Sequence, residues 1–270
     1  MSTGRPLNVL VTGGSGPSGI AAARALRHAG HTVFTVGSDK DRIEAAAAEA
    51  GDGVTPLVCD LADLAEVRAL HSIVHARLDG TGSAVDGVIH LVGGWRGAKG
   101  IPDQSDEDWE FLERGAITTV RNVTRVFYAD LAASEAGRFA MVSSTAVDKP
   151  TAGGASYVAA KAAAEAWTLA VADGFRRDQS GAATGTGAGT AEQPMRPEQH
   201  SRPEQHSRSE QHSAAVIFVV KALVDPAMRA KSPERKFPGF TDVEDLAAAA
   251  VGLFTTPAAE LNGRRMPLGS

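Results

Sequence analysis

Short apolar runs rich in β-branched residues alternate with alanine-rich stretches along most of the chain, and this alternation limits the fold more than any other feature. The apolar runs predict six strands, over residues 7–12, 31–36, 54–59, 86–92, 138–143 and 214–220. Helices are predicted over 19–29, 39–50, 62–78, within 106–133, over 155–175 and over 242–254. Strands that alternate with helices indicate an α/β fold, in which a doubly wound, mainly parallel sheet carries helices on both faces.

The length of 270 residues is enough for one large domain, and we expect a single domain over residues 1–270. In such sheets right-handed crossovers fix the winding, and ligands bind beyond the carboxyl ends of the strands. The glycine-rich and polar stretches of this chain follow predicted strands. We therefore expect a ligand site at that edge of the sheet.

One segment, residues 178–213, breaks the alternation. It is rich in Gly, Thr, Ala, Ser, Gln and Pro, and it repeats PEQHSR at 197 and 203 and SEQHS at 209. This composition lacks the apolar side chains for a core, so we predict a disordered low-complexity insertion at the sheet edge opposite the ligand. Its histidines, His200, His206 and His212, offer metal ligands in principle. A mobile duplicated tract is the simpler interpretation, and no metal site is assigned.

Charge and cysteine content limit the classes of partner and the cellular compartment that we expect. The formal net charge is −5 and no basic stretch is interleaved with aromatic residues, so nucleic acid is not an expected partner. The single cysteine, Cys59, cannot form an internal disulfide, which fits a reducing compartment. The apolar run at 7–12 is too short for a signal sequence or a membrane span. We expect a soluble cytoplasmic protein that acts on a small molecule, with no membrane partner.

The stretch VTGGSGPSGIAAA joins the first predicted strand to the first helix. Gly13, Gly16 and Gly19 permit a tight turn and a close approach of the backbone to a pyrophosphate, which the helix N-terminus then binds. Ser15 and Ser18 stand beside these glycines as further candidate ligands. The turn therefore predicts a dinucleotide site of the Rossmann type. The alternative interpretation is an ordinary connection rich in glycine and serine.

Residues at the ends of the second and third strands bear on the choice of nucleotide. An acidic residue at the end of the second strand would favour NAD, but Asp39 lies two positions late and is suited to cap a helix. Ser38, Lys40 and Arg42 are suited to a 2′-phosphate, so NADP is expected, with NAD as the alternative. Asp60 ends the third strand and is predicted to meet the adenine amino group. Its other interpretation is a cap for the next helix.

A tyrosine and a lysine have the spacing expected of a catalytic pair on one helix. Tyr157 and Lys161 are four residues apart in a predicted helix, which brings their side chains to one face. A phenol has a pKa of about 10, and a lysine ammonium nearby is expected to lower it. Tyr157 is then the candidate general acid or base, while Lys161 also holds the nicotinamide ribose. Ser144, at the end of the fifth strand, is predicted to steady the substrate oxygen.

This combination resembles the short-chain dehydrogenase/reductase family over most of the chain. The matching features are TGGSGPSG at 12–19, Asp60, the Gly-Gly pair at 93–94, Ser144, Tyr157 and Lys161. The resemblance implies an NAD(P)(H)-binding fold, hydride transfer with a Ser-Tyr-Lys set, and Gly93 beside the cofactor. It also implies a homodimer or homotetramer formed through the two long helices that flank the fourth and fifth strands.

The chain departs from the common family pattern at several positions. The turn reads TGxxGxxG, with Pro17 where the middle glycine often lies, and Leu91-Val92-Gly93-Gly94 replaces the usual Asn-Asn-Ala-Gly. Ala116 stands where a helix asparagine often completes the site, and Asn122 belongs to a later turn. The proton-relay route that such an asparagine supports is therefore not assigned.

Two segments, VGGWRGAKG at 92–100 and residues 224–247, resemble dihydropteridine reductases of the same family. Those enzymes keep the tyrosine and lysine and usually lack the serine, so Ser144 favours a carbonyl or alcohol substrate instead. Trp95 has two interpretations of equal weight. It either stacks on a flat substrate or forms a buried part of a lid.

The sequence therefore predicts an NAD(P)(H)-dependent oxidoreductase that transfers a hydride between a nicotinamide cofactor and a small carbonyl or alcohol compound. Within the family, the alternative is reduction of a pterin. Outside it, the alternative is a non-catalytic sensor of NAD(P). An intact Ser-Tyr-Lys set argues against the sensor, because such a protein has no need of it.

Overall fold

The computed structural model describes residues 5–78, 84–180 and 211–269. Seven parallel strands form one sheet: β1 (Asn8–Thr12), β2 (Thr32–Gly37), β3 (Val54–Val58), β4 (Gly87–His90), β5 (Arg138–Ser144), β6 (Ala214–Val220) and β9 (Arg265–Pro267). Their order across the sheet is β3-β2-β1-β4-β5-β6-β9. The strand order reverses beside β1, which confirms the predicted doubly wound α/β fold of a single domain.

Helices cover both faces of the sheet, and none in the described part of the chain is both long and apolar enough to cross a membrane. The first face carries α1 (Pro17–His28), α2 (Lys40–Ala50), α8 (Val243–Gly252) and α9 (Ala258–Leu261). The second face carries α3 (Leu64–Leu78), α5 (Thr119–Ala133) and α6 (Ala155–Gln179). The remaining helices are α4 (Asp106–Glu113), which a π-helical turn at Arg114–Thr118 joins to α5, and the short α7 (Pro226–Lys231).

The central strand shows why these runs are continuously apolar. Val9 and Val11 on β1 face α1 and α8, whereas Leu10 faces the core under α3, α5 and α6. All three side chains are fully buried. A parallel strand that is covered on both faces needs apolar residues at successive positions, which is the pattern seen in the sequence.

The seventh strand and a small second sheet were not predicted. β9 contains only three residues and includes Arg265, whose guanidinium pairs with Glu165 on α6 at 2.8 Å and with Asp148 at 2.9 Å. β7 (Leu223–Val224) and β8 (Thr241–Asp242) pair as a two-stranded sheet beyond β6. Elements this short have too few residues to show a hydrophobic period in the sequence. Tertiary contacts, rather than a local pattern, hold them in place.

The predicted low-complexity insertion covers residues 178–213, and residues 181–210 of it lie outside the described residues. α6 continues to Gln179, four residues beyond the expected end. The Gln179 amide oxygen accepts hydrogen bonds from the backbone N–H groups of His212 and Ser213 at 3.0 and 2.9 Å. The two ends of the segment therefore meet where β6 begins, at the amino end of the sheet.

Candidate active site

A cleft runs along the carboxyl ends of the strands in two adjoining lobes. The first, which we call the glycine-turn lobe, has a volume of about 550 Å³ and is lined by the turn after β1. The second, the tyrosine lobe, has a volume of about 350 Å³ and is lined by Tyr157 and Lys161. Both lobes share the same four wall residues, Ser18, Leu91, Val92 and Gly93. The turn and the tyrosine-lysine pair therefore open onto one cleft.

The three predicted glycines of the turn serve two different purposes. Gly13 has φ +75°, and a Cβ there would lie 2.7 Å from the backbone of Leu91. A Cβ on Gly19 would lie 2.5 Å from the carbonyl oxygen of Gly13. A Cβ on Gly16 would meet only that same oxygen, at 3.7 Å. Packing therefore requires glycine at Gly13 and Gly19. Gly16 instead leaves room in the cleft for a ligand, as a site for a pyrophosphate needs.

The turn also leaves polar groups for an anion. Gly16 is the N-cap of α1, and none of the described side chains caps that end of the helix. Helix N-termini attract anions through their N–H groups and their dipole. The hydroxyl of Ser15 is buried in the same lobe and has no hydrogen-bond partner among the described residues. A buried polar atom without a partner points to a ligand that would satisfy it.

Only some of the residues predicted to select NADP over NAD line the glycine-turn lobe, at its far rim. Ser38 and Arg42 line the lobe, whereas Lys40 does not and pairs with Glu44 at 3.4 Å. The Asp39 carboxylate accepts a hydrogen bond from the backbone N–H of Arg42 at 2.9 Å. Asp39 is therefore a helix cap, as its alternative interpretation stated, and Arg42 is the cation at the rim.

Asp60 lies in the wall of the glycine-turn lobe with both carboxylate oxygens in use. One oxygen accepts from the Arg114 side chain at 2.5 Å and the other from the backbone N–H of Ala62 at 2.9 Å. The cap of α3 is instead Asp63, which accepts from the N–H groups of Ala65 and Glu66 at 2.7 and 3.1 Å. The contact of Asp60 with adenine stays a prediction, and Arg114 already occupies one oxygen of the carboxylate.

In the tyrosine lobe, Lys161 is a buried cation beneath Gly93. Its Nζ donates a hydrogen bond to the carbonyl oxygen of Val142 at 2.9 Å. A Cβ on Gly93 would lie 3.1 Å from the same Nζ, so the glycine lets the ammonium reach the cleft. Burial lowers the pKa of Lys161 to about 8, and the charge of Glu165 opposes this shift. An ammonium has three donors, which leaves two for a ligand.

The pKa of Tyr157 moves against the sequence-based expectation. Burial raises it, and the hydrogen bond with Ser144 offsets this only in part. The prediction that Lys161 lowers it is therefore wrong for this structure, since desolvation of the phenolate is the dominant effect. Burial therefore makes the Tyr157 phenol a weaker acid, with a pKa above its ordinary value.

Two neighbouring serines at the end of β5 differ in their partners. Ser144 hydrogen-bonds Tyr157, and its Oγ accepts from the backbone N–H of Ala146 at 3.1 Å. Ser143 lines the tyrosine lobe with a buried hydroxyl that lacks a hydrogen-bond partner within residues 5–78, 84–180 and 211–269. Ser143 was missed, although its place beside Ser144 at the strand end is the same signal.

The helix turn that often carries an asparagine in related proteins is π-helical here. Ala116 lies in this turn and is buried in a small cluster with Ala160 and Leu112, against which Tyr157 packs. Asn122, two turns later, donates to the carbonyl oxygen of Leu61 at 3.1 Å and is buried. Neither residue therefore extends a hydrogen-bonded chain from Tyr157.

His90 is a buried structural link rather than a proton carrier. Its Nδ1 lies 2.7 Å from the hydroxyl of Thr12 and its Nε2 lies 3.1 Å from that of Thr119. Burial lowers its pKa to about 3, and the charge of Lys161 adds to the effect. The neutral ring joins the ends of β1 and β4 to the start of α5 beneath the cleft.

Trp95 extends from the tyrosine lobe with 67% of its surface exposed, which excludes its interpretation as a buried part of a lid. The guanidinium of Arg96 lies 4.0 Å from the ring centroid of Phe111 and 3.4 Å from Asp108. These contacts join the loop after β4 to α4 beside the lobe. A flat aromatic face is thus available beside Tyr157.

Comparison with known proteins identifies the family. The family profile described as short chain dehydrogenase matches residues 7–198. The chain belongs to the short-chain dehydrogenase family. This agrees with the resemblance of its motifs, and the chain spans about three fifths of the length of the curated relatives it matches.

The chain is also similar to a curated relative and, in its fold, to solved structures. The chain is 32% identical over 160 residues to nodulation protein G of Rhizobium meliloti (strain 1021), covering 59% of this chain and 62% of that protein. One similar solved structure is the apo form of a short chain oxidoreductase from Pseudomonas aeruginosa PAO1 containing an atypical catalytic center. Its TM-score is 0.75 at 17% identity, and the match covers 97% of this chain and 95% of that chain. NAD+-bound xylitol dehydrogenase has a TM-score of 0.72, with 16% identity and full coverage of both chains. At these identities the structural likeness shows the fold alone.

Proposed function

We propose that this short-chain dehydrogenase transfers a hydride between NADP(H) and a small carbonyl or alcohol compound, with Tyr157 as general acid or base. The observation that carries the proposal is the continuity of the cleft, in which the glycine turn and the Tyr157–Lys161 pair share a wall. A dinucleotide lies along such a wall, with its pyrophosphate at the helix N-terminus.

The residues of the cleft fit the cofactor in a definite order. Arg42 and Ser38 would hold the adenosine phosphate end, Gly16 and Ser15 the pyrophosphate, and Lys161 the nicotinamide ribose. The bound nicotinamide supplies the hydride. The two free donors of the buried ammonium and the unpartnered Ser15 hydroxyl support this order, because each needs a polar partner in the cleft.

The protein supplies the proton. Tyr157 lines the tyrosine lobe and would donate its phenol proton to a substrate oxygen during reduction; burial raises its pKa, so the donation needs a nearby group that stabilises the phenolate. Ser144 hydrogen-bonds the phenol and would orient the same oxygen. Once the proton has left, the ammonium of Lys161 on the next helical turn would stabilise the phenolate.

The deciding experiment exploits the two tyrosines of the chain. Tyr157→Phe is expected to lower the rate of NADPH-dependent reduction by roughly two to four orders of magnitude, as the loss of a general acid does. Its matched control is Tyr128→Phe, because Tyr128 donates to Asp178 at 2.8 Å on the outer surface of α5 and α6. We expect cofactor affinity to remain unchanged in both variants. Full activity in Tyr157→Phe would refute the assignment.

The preference for NADP can be tested at the rim of the cleft. Arg42→Ala is expected to reduce the protection that NADPH gives against heat unfolding and to leave the protection by NADH unchanged. Lys40→Ala is the matched control, since Lys40 pairs with Glu44 outside the lobe. Equal protection by both nucleotides in the native protein would overturn the preference.

A second candidate function is the reduction of a quinonoid dihydropterin. The exposed ring of Trp95 beside Tyr157 favours it, because a flat bicyclic substrate would stack there. NADPH consumption should be compared for a panel of carbonyl compounds and for quinonoid dihydropterin, with Trp95→Leu as the variant. Selective loss of pterin turnover in that variant would favour the pterin. Binding of NADPH without turnover of any compound would favour the sensor.

We also propose that the protein forms a homodimer or homotetramer through α5 and α6. Leu169 on α6 is 41% exposed, although it lies on a helix whose other face is in the core. Covering such a side chain with a second copy would remove apolar surface from water. A mass determination in solution for the native protein and for Leu169→Glu tests this. The cytoplasmic location and the absence of nucleic-acid partners stay predictions.

A further inference from the structure

A cluster of metal-binding side chains lies between α3 and α5, apart from the residues that line the cleft. His71 and His75 are one turn apart on α3, and the Nε2 of each faces the carboxylate of Asp130 on α5. The Nε2–Oδ2 distances are 3.4 Å for His71 and 2.7 Å for His75. One ligand atom from each of the three residues lies within 4.8 Å of the other two.

Neighbouring groups fix the orientation of these ligands. The backbone N–H of Val85 donates to the Asp130 carboxylate at 3.4 Å, and the carboxylate side chain is only 10% exposed. The ring of His71 lies 5.2 Å from that of Phe127 and 4.2 Å from that of His75. Ligands that are held in advance lose little freedom when a metal binds, and such outer contacts raise affinity.

We propose that His71, His75 and Asp130 bind a zinc ion, with the fourth position open to solvent. A tetrahedral site with bond lengths near 2.0–2.2 Å separates its ligand atoms by about 3.3 Å. The Asp130–His75 pair must therefore open by about half an ångström, and no pair has to close by more than about 1.5 Å. Side-chain rotation supplies shifts of this size. Two imidazoles and a carboxylate suit zinc better than calcium or magnesium, which prefer oxygen.

The open position faces a positive neighbourhood. His71 also lines a surface cleft of about 390 Å³ together with Arg68, Ser72 and Arg125. Two guanidinium groups oppose a weakly held cation, so only a metal with strong imidazole bonds would remain. They also favour an anion, such as chloride or a carboxylate, as the fourth ligand.

The test must separate this cluster from the other histidines of the chain. The matched background is the triple variant with His200→Gln, His206→Gln and His212→Gln, which removes the histidines of the repeated segment. The metal-free full-length protein in this background is titrated with Zn(II) and then with Co(II). The readouts are the calorimetric stoichiometry, the thermal midpoint, and the visible absorption of tetrahedral Co(II).

We expect one equivalent of Zn(II) to bind the triple variant with an affinity that His71→Gln lowers at least tenfold. Zn(II) should raise the thermal midpoint by several degrees, and His71→Gln should abolish this rise. His75→Gln serves as the second variant if the first unfolds. Binding that the triple variant abolishes, or that neither His71→Gln nor His75→Gln weakens, would overturn the proposal. So would the absence of the Co(II) bands.

Discussion

The two edges of the sheet use their polar side chains in opposite ways. At the amino edge, the buried carboxylate of Asp86 accepts from Arg5 at 2.6 Å, from the backbone N–H of Asn8 at 2.9 Å and from Ser134 at 2.6 Å. At the carboxyl edge, the buried hydroxyls of Ser15 and Ser143 have no partner in the described part of the chain. The polar groups named at the amino edge are paired within the fold, whereas those at the carboxyl edge are unpaired.

This difference distinguishes polar side chains that stabilise the fold from polar side chains that are available to a ligand. A buried polar group that lacks a partner costs free energy, so a chain retains one only where something else offsets the cost. At the carboxyl edge a bound dinucleotide and a substrate would supply the missing partners. At the amino edge the partners are backbone and side-chain groups of the same chain, such as Arg5 and Ser134 for Asp86, and substitutions there should affect stability without affecting the proposed reaction.

The largest effect is expected at the amino edge, for Arg138→Met. The buried guanidinium of Arg138 donates to the carbonyl oxygens of Leu253 at 2.7 Å, His212 at 2.6 Å and Thr256 at 3.0 Å. Removing it leaves these acceptors unpaired, which should lower the free energy of unfolding by about 3–5 kcal/mol. Urea unfolding measures this. kcat/KM of the folded protein should not change.

The control for Arg138→Met is Arg24→Met. Arg24 pairs with Glu244 at 3.3 Å on the surface, where an ion pair contributes about 1 kcal/mol or less. A loss of turnover in folded Arg138→Met would contradict the separation of the two edges.

His90 offers a sharper case, because it is polar, buried and close to the cleft, yet fully partnered. Its pKa is lowered to about 3 in the folded protein and is about 6.5 when unfolded. Its contribution to stability is therefore complete above pH 6.5 and is lost as the pH falls toward 3, since the unfolded chain binds the proton. Between pH 7 and pH 5 this amounts to about 2 kcal/mol.

His90→Asn should remove about 2 kcal/mol from the difference in unfolding free energy between pH 7 and pH 5. His28→Asn, at the exposed end of α1, should leave that difference unchanged. If the pH dependence survives in His90→Asn, then the ring titrates near its ordinary value, and the cleft floor is wetter than its burial indicates.

The contrast between the edges also explains what could be predicted from the sequence. The strands could be predicted because residues such as Leu10 are buried on both faces of the sheet and leave a continuous apolar signal. Tyr157 and Lys161 could be placed together because helical spacing alone brings them to one face. The exclusion of Lys40 from the lobe in favour of Arg42 depends on how α2 is rotated against β2, which the sequence does not specify.

Other properties of the site arise only in the folded molecule. The pKa of Tyr157 was expected to fall, but burial among Leu112, Ala116 and Ala160 raises it. Burial is set by segments far apart in the chain. The same holds for Asp130, which meets His75 from 55 residues away.

The third prediction compares one buried serine from each edge. Ser143→Ala should lower kcat/KM about tenfold, the effect of losing about 1.4 kcal/mol of hydrogen bonding to a ligand, and should not lower the unfolding free energy, because the hydroxyl it removes has no partner in the described part of the chain. Ser213→Ala should do the reverse, because Ser213 donates to the carbonyl oxygen of Leu131 at 2.6 Å and accepts from Gln179 at 2.7 Å. A loss of about 1–3 kcal/mol in stability is expected there, with normal kinetics. Equal behaviour of the two variants would remove the distinction between the edges.

The smallest effect is expected from deleting residues 181–210 and joining the ends with a short glycine-serine linker. The join keeps Gln179 and Ser213, whose contacts already hold the ends of α6 and β6 together at the amino edge. Because the proposed reaction lies at the other edge, kcat, KM and cofactor affinity should stay within twofold of the native values. A matched deletion that also removes Gln179 should lower the thermal midpoint, since the backbone N–H groups of His212 and Ser213 would lose their acceptor. Impaired kinetics in the first deletion alone would mean that the segment reaches the cleft, and the amino edge would then no longer be purely structural.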